Sequence, residues 1–255
     1  MIRLIYRRQL VLGGLLTVLH GACCSMHAQA QPLNTGSGGC WLVGEDANAA
    51  LRKATQVNSF ESGTEQMEPR SGNSALDKAL ARSLANISRT FNVLPGFTYY
   101  DDSGSPNAQA TSRVLLGNTD GTVLFGLAML REVLRRPSNP DASIVAICAH
   151  EFGHILSYKN GMIQQLNPPG DGPFRGEQFA DYMAGYFAGS RKLVSPSYPA
   201  VAFAVTQRDF GGGDHGSGLQ RGQAVERGFI DAFQRRLTIG QAEQEALTFA
   251  MSQQL

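Results

Sequence analysis

Apolar positions along this chain recur with two different periods. Leu76, Leu80, Leu84, Ile87 and Phe91 trace one face of a helix, with Ser74 as the expected N-cap and Asp77 three residues on. Upstream, the Ala-rich stretch 45–56 is expected to be helical. The period then changes. Residues 97–101 and 107–111 read as strands, and Val114-Leu115-Leu116 and Val123-Leu124-Phe125 flank a turn at Asn118-Thr119-Asp120-Gly121, which predicts a hairpin. The helical period returns at 127–135 and stops before Pro137. Asn139-Pro140-Asp141 opens a helix to about Lys159, closed by Asn160-Gly161. A Pro/Gly loop covers 167–176. Further helices are expected at 177–189, 200–210, 219–237 and 239–251, the last capped by Thr238. A small mixed sheet followed by a mostly helical remainder is an α+β layout.

The first thirty residues have a different character. Arg3, Arg7 and Arg8 precede an apolar run from Leu10 to Ala22, and Ala28-Gln29-Ala30 supplies a small-x-small cleavage pattern. This predicts a secretory signal peptide over 1–30, and therefore an exported, periplasmic or secreted protein. The alternative is an uncleaved anchor, but the run is short for a bilayer-spanning helix. Residues 31–44 are expected to be a lead-in, flexible over QPLNTGSGG, and 45–255 the functional domain.

Removing residues 1–30 takes away three Arg and no acid, leaving 22 − 3 = 19 basic against 21 acidic groups. That balance gives no reason to expect nucleic acid or anionic lipid as a partner, and no later run is apolar enough for stable membrane insertion. The remaining histidines are His150, His154 and His215, and the remaining cysteines Cys40 and Cys148. Two cysteines make no disulfide framework. Cys148 reads as a buried core thiol, with a Cys40–Cys148 disulfide as the alternative.

His150-Glu151-Phe152-Gly153-His154 is an HExxH pattern. Four residues turn a helix by about 400°, so the two imidazoles stand about 40° apart on one face and can grip one Zn²⁺. Glu151 lies next to the first ligand, within reach of a metal-bound water whose proton it can take. Ile144, Val145, Ile147, Cys148, Ile155 and Leu156 make the helix a buried one, where two histidines and a glutamate need partners or a metal to offset desolvation. A third ligand six residues past His154 is ruled out, because position 160 is Asn. Downstream, Glu177 and Asp181 form an ExxxD pair on one helical face. Glu177 can be the third ligand. Asp181 can accept a proton from the far nitrogen of a ligand histidine.

The stretches VAICAHEFGHILS, EQFADYMAGYFAG and DHGSGLQRGQAVERGF, with Asn107-Ala108-Gln109-Ala110 before them, resemble gluzincin metallopeptidases, near the bacterial neutral zinc metallopeptidases and the CaaX-prenyl-protease-type enzymes. The resemblance covers about residues 106–230. It implies a zincin-like fold, a Zn²⁺ cofactor and hydrolysis of peptide or protein substrates, with the first carboxylate on the metal and the second behind a histidine. It also brings the segment around His215 near the cleft, where that side chain can donate to an oxyanion; an exposed loop histidine is the alternative. Arg221 is expected to pair with a carboxylate near the site. The transmembrane helices of the prenyl-protease-type enzymes have no counterpart here. Two other functions stay open: a zinc hydrolase of a non-peptide amide, and a catalytically silent metal-binding or chaperone-like module.

Overall fold

The computed structural model describes residues 40, 42, 44–52, 54, 58–59 and 71–254. The expected signal segment 1–30 and the stretch 31–39 lie outside these residues. The chain is α+β. Helix α1 (Gly44–Arg52) is followed by the two-residue strand β1 (Asn58–Ser59) and by α2 (Ser74–Phe91). The cap of α2 is Asn73 rather than Ser74, because the Asn73 side chain accepts from the amides of Ala75 and Leu76. Ser74 falls inside the first turn. The apolar face expected for α2 is real: Leu80, Leu84, Ile87 and Phe91 are buried.

Three longer strands follow, β2 (Gly96–Tyr100), β3 (Ala108–Thr111) and β4 (Thr122–Gly126). The sheet order is β1-β2-β4-β3, with β2 and β4 parallel and the other pairs antiparallel. The hairpin therefore forms between β3 and β4, not between 114–116 and 123–125. Both edges of β4 are taken, one by β2 and the other by β3, so no edge remains for residues 114–116. These form an irregular connection in which Val114 and Leu115 are exposed. Strand β3 ends the sheet.

The remainder is helical: α3 (Leu127–Leu134), α4 (Pro140–Lys159), α5 (Ile163–Leu166), α6 (Phe174–Val194), α7 (Val201–Asp209), a 3₁₀ turn (Gly213–His215), α8 (Gly218–Phe233) and α9 (Ile239–Ser252). Helix α6 begins three residues before the expected start and runs five beyond the expected end, because the aromatic run Tyr182, Tyr186 and Phe187 continues into buried small residues without a breaker. Helix α9 carries the Thr238 cap, reciprocated by Gln241.

Helix α4 packs on β3 and β4 on one side and on α6 on another. The α4–α6 crossing is close because Gly153 faces Ala180; a Cβ at Gly153 would come 2.9 Å from the Ala180 Cα. Glycines at 185 and 228 likewise let α6 and α8 approach backbone to backbone. A Tyr182–Asp231 hydrogen bond ties the same two helices. Among the described residues no helix is long and apolar enough to cross a membrane.

Candidate metal centre

Helix α4 carries His150, Glu151 and His154, and α6 carries Glu177 and Asp181; all five are buried. The Gly153–Ala180 approach brings the two helices near enough for short side chains to meet. His150 Nε2 and His154 Nε2 are 3.2 Å apart, with the rings near-perpendicular at 88°. Glu177 closes the triangle, with Oε2 at 3.1 Å from His150 Nε2 and Oε1 at 3.6 Å from His154 Nε2.

These separations test whether zinc fits. Ligand atoms ~2.0–2.1 Å from a tetrahedral Zn²⁺ lie about 3.3 Å from one another. The His150–His154 separation of 3.2 Å and the His150–Glu177 Oε2 separation of 3.1 Å lie close to that value, and the other Glu177 oxygen is 3.6 Å from His154. The proton bookkeeping agrees. Asp181 Oδ1 lies 2.7 Å from His150 Nδ1, which makes Nδ1–H the donor and leaves the Nε2 lone pair aimed at the other two ligand atoms. Glu177 Oε2 faces His150 Nε2 at 3.1 Å, and neither oxygen of Glu151 makes a hydrogen bond of good geometry. Converging lone pairs and orphaned buried carboxylate oxygens are what a cation satisfies.

The electrostatics of the metal-free cluster point the same way. Burial opposes charging of His150, but Asp181 and then Glu177 outweigh it and hold the imidazole at about 10. Burial lowers His154. Burial pushes Glu151 up to about 8. Glu177 is opposed by burial but held well below the usual carboxylate range by His215, His154 and His150. Without a cation the cluster therefore keeps a proton on His150, which a bound metal would displace.

Behind the cluster, Arg221 on α8 grips Asp181 with Nε at 2.7 Å and Nη2 at 2.8 Å. Nη2 also donates to Gln207 Oε1 at 2.7 Å and Nη1 to the Phe210 carbonyl at 3.0 Å, which fixes the guanidinium from both ends. The carboxylate expected to pair with Arg221 is thus Asp181. Gln207 carried no sequence signal.

His215, in the 3₁₀ turn, is half-buried and reaches the cluster, with Nε2 at 3.6 Å from Glu177 Oε2. Its backbone carbonyl accepts from Gln178 Nε2 at 3.2 Å, and burial lowers its pKa.

One neighbour was not foreseen. Cys40 and Leu42 fall in the expected lead-in, yet both are buried. The Cys40 amide donates to Glu177 Oε1 at 2.9 Å, and its Sγ lies 3.0 Å from His215 Nε2. Cys40 forms no disulfide with Cys148; both thiols are free, and Cys148 is the core thiol expected on α4. Burial, then Glu177 and Glu151, push the Cys40 thiol well up. No protein-family model, curated protein or solved structure matches this chain.

Proposed function

We propose that the chain is an exported zinc-dependent metallopeptidase of the gluzincin type, with a zincin-like arrangement of sheet and active-site helix. The observation that carries this reading is Glu151. A purely structural zinc site needs ligands and no base. Here a carboxylate with two unpartnered oxygens is buried beside the His150–His154–Glu177 triangle. Desolvating it costs stability, and a general base is the use that offsets the cost.

His150 and His154, through Nε2, and Glu177, through its carboxylate, would hold the zinc. When bound, the ion lowers the pKa of water toward about 7 and polarises a carbonyl. Glu151 takes a proton from the attacking water at a carboxylate oxygen and passes it to the leaving amine. Asp181 keeps His150 in the Nδ1–H form, and Arg221 keeps Asp181 ionised and in position. His215 is the candidate oxyanion donor.

A peptide is favoured over a compact amide by the sheet edge beside α4. Ala110 of β3 donates to the Cys40 carbonyl and accepts from the Leu42 amide, both at 2.8 Å, so this edge takes extended backbone. One observation favours the silent metal-binding reading instead: Cys40 and His215 form a second group of donors around Glu177. The test is a denatured protein incubated with the zinc-loaded chain, as parent and as Cys40→Ser. Cleavage that a chelator stops and that Glu151→Gln lacks is the expected result. No cleavage by either form overturns the peptidase reading.

A further inference from the structure

Gln207 lies on α7 with only 2% of its surface exposed. Its neighbours fix the orientation of its amide. Arg221 Nη2 can only donate, so the atom 2.7 Å from it is Gln207 Oε1. The Ala146 carbonyl can only accept, so the atom 3.3 Å from it is Gln207 Nε2. One side chain therefore joins Arg221 of α8 to α4, at a point one turn before His150. In an α-helix the carbonyl of residue 146 is the one that meets the amide of residue 150.

These bonds close a ring. From the Ala146 carbonyl it runs through Gln207, Arg221 and Asp181 to the His150 imidazole, and the α4 backbone returns it to Ala146. Every member is buried. Arg221 Nη2 carries two N–H groups, one directed at Asp181 Oδ1 at 2.8 Å and the other at Gln207 Oε1. Nη2 also lies 3.5 Å from His150 Nδ1, whose proton goes to the same Asp181 oxygen. Two donors thus crowd one oxygen, and Gln207 holds Nη2 from the far side. A neutral acceptor suits that place. A carboxylate at 207 would compete with Asp181 for the guanidinium charge, whereas an amide takes the hydrogen bond and leaves the charge to Asp181. An apolar side chain would leave a buried guanidinium N–H without its acceptor.

We propose that Gln207 is a positioning residue of the metal centre, which sets the Arg221 guanidinium so that Asp181 holds the His150 ring with its Nε2 towards the metal. It touches neither the metal nor a substrate. This role rests on the metal centre of the proposed function and not on its peptide cleavage. The preceding residue supplies a control: Thr206 Oγ1 meets Ser143 Oγ at 2.9 Å and so ties α7 to α4 outside the ring.

Zinc affinity of the full chain is measured by competition with a chelator in the parent, Gln207→Met, Thr206→Val, Asp181→Ala and the combined Gln207→Met and Asp181→Ala variant. Gln207→Met should weaken zinc by about 3–10-fold, less than the loss of Asp181, because it acts through two further side chains. Thr206→Val should leave the affinity unchanged. Once Asp181 is Ala, Gln207→Met should cost nothing more. In the zinc form, the Nδ1–H proton resonance of His150, identified by its loss in Asp181→Ala, should move upfield in Gln207→Met and stay in place in Thr206→Val. Gln207→Asn keeps an amide but is one methylene short of its two partners, and should match Gln207→Met, so the outcome does not hang on how one variant folds. Parent affinity in both Gln207 variants overturns the proposal. So does an equal loss in Thr206→Val, or a Gln207 effect undiminished without Asp181. A parent that binds no zinc overturns the metal centre and the role of Gln207 together. Zinc weakened as stated, with no cleavage of denatured protein by any form, keeps the role of Gln207 and overturns the peptidase alone.

Discussion

Arg221 holds the two oxygens of Asp181 at 2.7 and 2.8 Å from behind the histidine that Asp181 orients. Both side chains are buried, so the pair is costly to break from one side. Arg221→Met leaves an uncompensated buried carboxylate and should destabilise the metal-free protein by about 3–5 kcal/mol. Arg221→Lys should recover only part of this, since an ammonium cannot reproduce the two-nitrogen grip. Urea unfolding of the two variants checks the order. Unchanged stability in Arg221→Met would mean that Asp181 is held by something else.

Asp181→Ala removes the support of His150 without removing a ligand. Zinc affinity should fall by about 10–100-fold, as losses behind a metal ligand usually give. Competition with a chelator measures it, and an unaltered affinity would detach Asp181 from the metal centre.

Glu151→Gln should bind zinc as the parent does and lose turnover by about 10²–10⁴-fold, because the amide cannot accept a proton. The comparison is made between the zinc-loaded parent and variant. Lost zinc, or an undiminished rate, would remove Glu151 from the role of base.

Stability of the metal-free protein should fall as pH rises from about 6.5 to 10. His150 has its folded value raised from 6.5 to about 10, so its contribution is fully present below 6.5 and is lost as pH passes through 10. Glu151, raised to about 8, acts in the same direction up to that pH. His154 and His215 are lowered, and their opposing contributions are complete below 6.5. Bound metal replaces the His150 proton, so the zinc form should lack the His150 part of this slope. Thermal midpoints of both forms across that range measure the difference; a metal-free midpoint that rises toward pH 10 would contradict the charge assignments.

Much of the cluster was legible because its residues are local. His150, Glu151 and His154 span just over one helical turn, as do Glu177 and Asp181, so helical geometry alone fixes which share a face. The strand α4 packs on was legible for the same reason. What was not legible depends on tertiary choice. The apolar run nearest to β4 suggests its hairpin partner, whereas Val114 and Leu115 in that run are exposed and the more distant β3 takes the edge. The Ser74 cap was displaced by a neighbour whose side chain reaches two amides instead of none. Gln207 and Cys40 lie far in sequence from the residues they meet, and neither belongs to a spaced motif. For Cys40 the available hint was numerical, a thiol left over beside a zinc motif, and that hint pointed equally to Cys148.

The central claim is that His150, His154 and Glu177 together hold a metal. It is tested most directly by the zinc content of the purified parent, Glu177→Ala and His215→Ala, measured side by side after dialysis against a weak chelator. Stoichiometric zinc in the parent and in His215→Ala, with none retained by Glu177→Ala, is the predicted result. Full zinc in Glu177→Ala and none in His215→Ala would contradict it, and would put a third histidine where the carboxylate has been assigned.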